Sequence, residues 1–164
     1  MRPALEILTQ HGWSPDYRTD PTPHLKKLEQ LGFTINATAI DFLSNFGDIK
    51  VYYTHRNRHS ELGERIMYFT SDITLLSWPS FDSYGEGTID GYCLCGLGGD
   101  DYDLRSALFV SGTGIFQVDT YEVGEAYFLN FFDALEYIFE IRGGPGTPEK
   151  APWHPSTAFQ ITSR

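Results

Sequence analysis

The chain has little cysteine, no long apolar run and, over almost half of its length, hardly any basic side chain. Its two cysteines, Cys93 and Cys95, flank Leu94 in a short apolar stretch. A zinc site would need a second pair of ligands at suitable spacing, so we interpret them as structural thiols in a reducing compartment. No apolar run follows Met1, and none elsewhere is long enough for a bilayer. We therefore expect a cytoplasmic protein with no signal peptide and no membrane span.

Basic residues are nearly missing between Ile66 and Ile141. This stretch has thirteen acidic side chains against one basic one, Arg105, whereas the residues up to Arg65 have eight of each. The formal net charge of the whole chain is −10. A negative field of this kind attracts cationic protein surfaces and repels phosphate backbones and anionic lipid. The charge therefore predicts a basic protein partner, with no direct binding to nucleic acid or membrane.

Helical spacing comes first along the chain, strand-like segments follow, and helical spacing returns at the end. The predicted helices contain Ala4–Leu8, Thr22–Leu31, Asn36–Phe46 and the segment that Asn130 caps. The predicted strands are Ile49–Tyr53, Ile66–Phe69, Tyr92–Cys95, Ala107–Val110 and Ile115–Val118. This order predicts an α+β fold, with an antiparallel or mixed sheet of about five to six strands flanked by N-terminal helices and a C-terminal helix.

Glycine, proline and capping residues predict where these elements begin and end. Thr22 before Pro23 reads as a helix cap, and Asn36 caps the next helix, in which Ile40 is expected on the buried side. The run Gly96–Gly99 reads as a turn between strands. We expect a polar loop over Thr54–Arg65 and a short helix from Ser71.

The predicted domain covers residues 1–142. From residue 143 to residue 164 the chain has four prolines and little periodic pattern. Such composition is typical of an extended or disordered segment. The sequence thus predicts one domain followed by a tail.

No motif in the chain predicts an enzyme. His55 and His59 have the spacing of a zinc helix but lack the adjacent glutamate, and arginines stand between them. The glycines at 96–99 lack the lysine of a phosphate-binding loop and are followed by acids. Asp100, Asp101 and Asp103 do not follow the order of a calcium-binding loop. We predict no catalytic residue, no metal and no cofactor, and keep as the alternative a small metal-dependent enzyme or ion-dependent regulator using Asp100–Asp103.

Aromatic side chains alternate with acids through the acidic half. Rings of this kind are common in protein interfaces, although they also fill ordinary sheets. We predict that a basic partner contacts ten of these residues: Asp82, Tyr84, Glu86, Asp100, Asp101, Tyr102, Asp103, Asp119, Tyr121 and Glu122. The tyrosines are the expected anchors, and the acids the expected source of electrostatic attraction.

Five segments, in this order, resemble a known family. They are Leu8–Arg18, Ala39–Gly47, Leu94–Gly98, the hairpin Ala107–Val118 and Phe131–Glu136. The chain is similar to the SUKH superfamily of bacterial immunity proteins, specifically its third family. Where the resemblance implies a second glycine after Gly47, this chain has Asp48.

The resemblance implies an α+β domain without catalysis that binds a cognate toxin domain, often a nuclease or a nucleic-acid deaminase. Such toxins belong to polymorphic or contact-dependent systems of bacterial competition. Together with the charge, it predicts an immunity protein that covers the cleft of a basic toxin with its acidic surface. We expect the free protein to be a monomer.

Overall fold

The computed structural model describes residues 2–56, 64–75, 91–100, 103–120 and 124–142. It describes the backbone alone, without side chains, for residues 53–56, 64–67, 100, 103–105 and 140–142. The helices are α1 (Pro3–Gln10), α2 (Thr22–Gln30), α3 (Ala37–Phe46) and α4 (Phe131–Arg142), and a 3-10 helix, η1, spans Ile73–Leu75. The strands are β1 (Lys50–Arg56), β2 (Glu64–Thr70), β3 (Tyr92–Asp100), β4 (Asp103–Ser111), β5 (Phe116–Thr120) and β6 (Gly124–Phe128). The predicted tail, residues 143–164, lies outside the described residues.

The six strands form one sheet in chain order, from β1 at one edge to β6 at the other. Every pair of neighbours is antiparallel. The N-terminal helices and α4 pack on this sheet, so the predicted α+β class and its flanking helices are confirmed. None of the helices among the described residues has both the length and the apolar character needed to cross a membrane.

Asparagine caps begin two of the helices as the sequence predicts. The Asn36 side chain accepts a hydrogen bond of 2.8 Å from the Ala39 amide, and that of Asn130 accepts one of 2.7 Å from the Phe132 amide. The predicted Thr22 cap is wrong, because Thr22 already belongs to α2. Its amide donates instead to Asp20 Oδ1 at 3.0 Å, and hydrogen bonds from the Thr22 side chain and amide lower the pKa of Asp20.

Aromatic rings from the helices and the sheet meet in the core around Phe131. Its ring lies 4.8 Å from that of Phe42 and 4.5 Å from that of Phe46, both on α3, and 6.0 Å from that of Phe116 on β5. Since Phe116 faces α3 and α4, the two-residue period of a strand places Asp119 on the opposite face. The helices thus anchor one face of the sheet and leave Asp119 on the other.

Two details of the predicted elements are wrong. The fourth residue of α3, Ile40, is 39% exposed, because Phe42 and Leu43 take the buried side. The short helix predicted from Ser71 is present as the one turn of η1. The loop predicted from Thr54 is shorter, since β1 continues to Arg56 and β2 begins at Glu64.

The predicted glycine turn is also wrong, because Gly96–Gly99 lies inside β3. A Cβ at Gly96 would stand 2.6 Å from Cζ of Phe69, and one at Gly98 would stand 2.7 Å from Oγ of Ser106. These glycines therefore provide space for neighbouring side chains. The register also shifts between Leu94 and Gly96, so Cys95 forms a bulge in the strand.

Both thiols are free and buried, as predicted, and we expect them to be unreactive in the native protein. Burial raises the pKa of Cys93 to about 11, and burial followed by the nearby Cys93 raises that of Cys95 well above its usual value. Below about pH 9 both should remain protonated, and a thiolate is the reactive form. Titration with a disulfide reagent at pH 8 should label two thiols in urea and almost none in buffer. Rapid labelling without denaturant would contradict this burial.

Candidate functional site

The structure describes three of the ten predicted partner-binding residues. Asp100 is the last residue of β3, Asp103 is the first of β4, and Asp119 lies half-buried in β5. The other seven lie outside the described residues: Asp82, Tyr84, Glu86, Asp101, Tyr102, Tyr121 and Glu122. For those seven, the predicted role stays a prediction.

The described acids converge on one end of the sheet. Asp100 and Asp103 are register partners where β3 and β4 meet, and Asp119 is the register partner of Glu125 where β5 and β6 meet. Because β4 and β5 are neighbours, the two pairs lie at the same end of adjacent hairpins. Asp119 is the register partner of Ala107, four residues after Asp103, so at the rise of a strand the two pairs are about 13 Å apart along the strand direction. We call Asp100, Asp103, Asp119 and Glu125 the acidic end of the sheet.

Glu125 was not among the predicted binding residues. Sequence reasoning missed it because β6 was not predicted, and so nothing placed Glu125 opposite Asp119. The signal was the short segment Gly124–Phe128, in which an exposed Glu125 is followed by the buried Ala126 and Tyr127. In the structure Tyr127 donates a hydrogen bond of 2.7 Å to Glu125, which fixes the orientation of that carboxylate.

The acidic end has four acidic residues at two adjacent hairpin ends, in a stretch of the chain with one basic residue. A negative field of this kind attracts cationic side chains. The arrangement is therefore suited to binding lysine or arginine.

Other acids in the same half of the chain are neutralised within the fold. Arg2, before α1, forms ion pairs with Asp133 and Glu136 on α4, the latter at 3.2 Å. Hydrogen bonds to Asp133 and then Glu136 raise the pKa of Arg2. Lys50 lies 3.7 Å from Asp72. The acidic half thus presents less free charge than its composition indicates, and these three carboxylates are poor candidates for a partner surface.

No family model, curated protein or solved structure matches this chain. The resemblance to the SUKH superfamily therefore stays a prediction. The geometry of the chain's own side chains carries the functional argument.

A second polar cluster, which the sequence did not predict, lies next to the start of β1, away from the acidic end. The buried His24 on α2, 1% exposed, has its Nε2 2.8 Å from Asp48 Oδ1. Its Nδ1 accepts a hydrogen bond of 3.2 Å from the amide of Ile73 in η1. Asp48 also accepts a hydrogen bond of 2.8 Å from Thr19 Oγ1. The cluster joins α2, the start of β1 and the segment after β2.

His24, Asp48 and Asp72 each offer an atom within 4.8 Å of the others, a grouping that could hold a metal ion. The hydrogen bonds of the imidazole argue against this role. Since Nδ1 accepts the Ile73 amide proton, the neutral ring has its own proton on Nε2, which faces Asp48. A metal would need the lone pair of Nε2, and moving its proton to Nδ1 would set two donors against each other. The residues present therefore do not fit a metal.

Backbone strain at Asp48 supports this structural reading. Asp48 has a φ of +66°, a left-handed value that is uncommon for residues other than glycine. The resemblance to the SUKH superfamily implies a glycine at this position. Its carboxylate binds both His24 and Thr19, and these bonds offset part of the strain. Burial and then the charge of Asp48 raise the pKa of Tyr17, whose hydroxyl donates to the Gly47 carbonyl at 2.7 Å.

The replacement Gly47→Ala is expected to destabilise the protein by about 3 kcal/mol, because the cluster leaves no room for a methyl group. A Cβ there would stand 2.4 Å from the Leu43 carbonyl oxygen and 3.2 Å from Nε2 of His24. Urea unfolding measures the loss. Gly112→Ala is the matched control, since its Cβ would meet nothing closer than Asn36 at 3.7 Å. Equal stability of the two variants would show that the surroundings of Gly47 can accommodate the added methyl group.

Proposed function

We propose that the chain is a non-catalytic, cytoplasmic immunity protein that binds a basic toxin domain through the acidic end of its sheet. The observation that supports this most is the convergence of Asp100, Asp103, Asp119 and Glu125 on two adjacent hairpin ends. They belong to a half of the chain with thirteen acids and one basic residue. The negative field of these residues would attract a cationic partner.

The proposed mechanism is occlusion of the cleft of the toxin. A nuclease or nucleic-acid deaminase must attract phosphates, so the surface around its cleft is cationic. The acidic end would occupy the same surface in place of nucleic acid. Complementary charge raises the association rate from about 10⁵–10⁶ toward 10⁸ M⁻¹s⁻¹. Rapid capture suits an inhibitor that must act before its target damages the cell.

Charge alone would leave a complex that dissociates in salt. Lasting inhibition requires a few desolvated aromatic anchors, each contributing about 2 kcal/mol or more on truncation. Tyr84, Tyr102 and Tyr121 are the proposed anchors on the basis of the sequence, next to acids that would form charge-assisted hydrogen bonds. In the sequence, Tyr102 stands between Asp100 and Asp103.

The buried imidazole of His24 is poorly placed for catalysis. Among the described residues, His24 has its imidazole against the carboxylate of Asp48, and the histidine is 1% exposed. A substrate could not reach it without unfolding of the surrounding structure. A general base must come within hydrogen-bonding distance of the reacting proton. This pair is therefore better explained as a structural contact.

The test is co-purification with the carboxy-terminal domain encoded by the neighbouring gene, followed by assay of that domain's toxicity. We expect a stoichiometric complex, inhibition of the toxin, rescue of growth, and an affinity that falls steeply with salt. A complex that forms through the opposite end of the sheet would refute the proposed surface. Failure of the chain to protect cells from that domain would refute the immunity role for this pair.

A thermal-shift series with calcium, magnesium, manganese and zinc tests the alternative of a site at Asp100–Asp103. Ligands that bind the native state raise its melting temperature. We expect no shift that depends on these residues. A large shift abolished by Asp100→Asn with Asp103→Asn would favour the ion-dependent function.

A further inference from the structure

β1 lies at one edge of the sheet, so one side of its backbone faces β2 and the other side faces away from the sheet. Two hydrogen bonds show which residues face which way. The Ser71 amide donates to the Ile49 carbonyl oxygen at 3.0 Å, and the Ile49 amide donates to Oγ of Ser71 at 3.2 Å. Ile49, just before β1, therefore directs its peptide groups toward the chain that follows β2.

Successive residues of an antiparallel strand direct their peptide groups to opposite sides. The register continues without a break from Lys50 to Tyr52, which lies opposite Tyr68. Counted from Ile49, both Lys50 and Tyr52 direct their N–H and C=O groups to the free edge. Unpaired groups of this kind on an edge strand can bind a further strand. Tyr52 is thus a position at which another chain could extend the sheet.

The ring of His11, at the C-terminal end of α1, occupies this position. Its Nε2 lies 3.2 Å from the Tyr52 carbonyl oxygen, and its Nδ1 lies 2.8 Å from the carbonyl oxygen of Ile7, one turn back in the helix. The amide nitrogen of an added strand would lie about 2.7–3.2 Å from the same Tyr52 oxygen. The ring and an added strand therefore compete for one site, whichever ring nitrogen has the proton.

We infer that His11 is an edge cap, which prevents β1 from pairing with β1 of a second copy of this chain. Two antiparallel β1 strands related by a two-fold axis at Tyr52 would exchange both hydrogen bonds between the two Tyr52 residues. The two Tyr52 side chains, each 56% exposed in the free protein, would become cross-strand neighbours, an aromatic pair that stabilises a sheet.

The sequence of β1 suits this pairing. The strand reads KVYYTHR, and valine, tyrosine and threonine are common in strands. With the axis at Tyr52, Lys50 of each copy would lie opposite Thr54 of the other, so its charge would not face another cation. The cap keeps such an edge from associating. The inference does not depend on the proposed immunity role, since it concerns the free protein.

Analytical ultracentrifugation of His11→Ala at increasing concentration tests the cap. The wild type should stay monomeric, and the average mass of the variant should rise toward about twofold that of the wild type. His11→Asn should behave in the same way, since asparagine suits a helix end but is too short to reach β1. A folded variant at position 11 that stays monomeric at the highest concentration would overturn the inference.

Thr9→Ala is the matched control. Thr9 is exposed on the same helix, and its hydroxyl donates within that helix, to the Leu5 carbonyl at 2.8 Å. The control should therefore stay monomeric. Equal association of Thr9→Ala and His11→Ala would mean that loosening α1 is sufficient and that the ring of His11 is not the cap.

A double variant tests whether β1 is the surface that associates. Adding Tyr52→Lys to His11→Ala would place two cations opposite each other in the pairing, and should restore the monomer. In the dimer of His11→Ala, the Tyr52 amide should exchange its hydrogen about tenfold more slowly than in the wild type, because it becomes hydrogen-bonded. Association that persists in the double variant, or a Tyr52 amide whose exchange is unchanged, would contradict pairing through β1.

Discussion

The double variant Asp119→Asn with Glu125→Gln is expected to bind the proposed basic partner more slowly, by about tenfold at low salt. Adding Asp100→Asn and Asp103→Asn should extend the decrease to about 100-fold, within the range known for electrostatic steering. Stopped-flow association at several salt concentrations measures the effect, and urea unfolding checks that each variant is folded.

The fold offers a matched control for this prediction. Asp133→Asn with Glu136→Gln removes the same number of charges, but both of these carboxylates are paired with Arg2. That variant should lose some stability, because it leaves Arg2 without partners, and should bind with a nearly unchanged rate. Equal slowing by the two double variants would show that net charge matters and the acidic end does not. Unchanged binding by the quadruple variant would exclude this end as the contact surface.

The variant Phe131→Ala is expected to lose about 3–5 kcal/mol of the free energy of unfolding, as large-to-small replacements of buried aromatics do. The Phe131 ring lies within 6.5 Å of rings from α3, from β2 and from β5, so its removal affects three elements at once. Such a loss is a large part of the total stability of an ordinary domain. Urea denaturation followed by circular dichroism provides the measurement.

Phe132 is the control for the core prediction. It belongs to the same helix and contacts the Phe131 ring at 5.5 Å, but it is half-buried and lies below the guanidinium of Arg2. Phe132→Ala should cost about 1 kcal/mol, because less apolar surface returns to water. A similar loss in both variants would mean that the core is not organised around Phe131.

The helices and the class of fold could be predicted because their signals are local. Asn36 and Asn130 are caps that act within three residues, and Gly114 has a φ of +84° in the predicted hairpin turn. The glycines of β3 were read incorrectly because the reason for them is distant in sequence. Gly96 makes room for Phe69 on β2, and Gly98 makes room for Ser106 on β4. Space created for another strand has no signature within a short window of sequence.

The candidate site likewise combines features that are visible in the sequence with contacts between distant residues. The excess of acid between Ile66 and Ile141 is visible in the sequence, but strand register decides which acids come together. Pairing Asp119 with Glu125 requires β6, which the sequence analysis did not predict. The pairing of Asp133 and Glu136 with Arg2 links opposite ends of the described chain, and no spacing rule anticipates it. Composition predicted the sign of the surface charge, and tertiary structure decides which acidic residues lie together.

Chain order in the sheet also bears on how the protein is made. Each strand pairs with the one synthesised just before it, so successive hairpins can assemble as they leave the ribosome. Helix α4, which supplies Phe131 to cover them, is synthesised after all six strands. A nascent chain thus has an apolar sheet that only α1, α2 and α3 can cover until its last described helix emerges, and chaperones would be most needed until then.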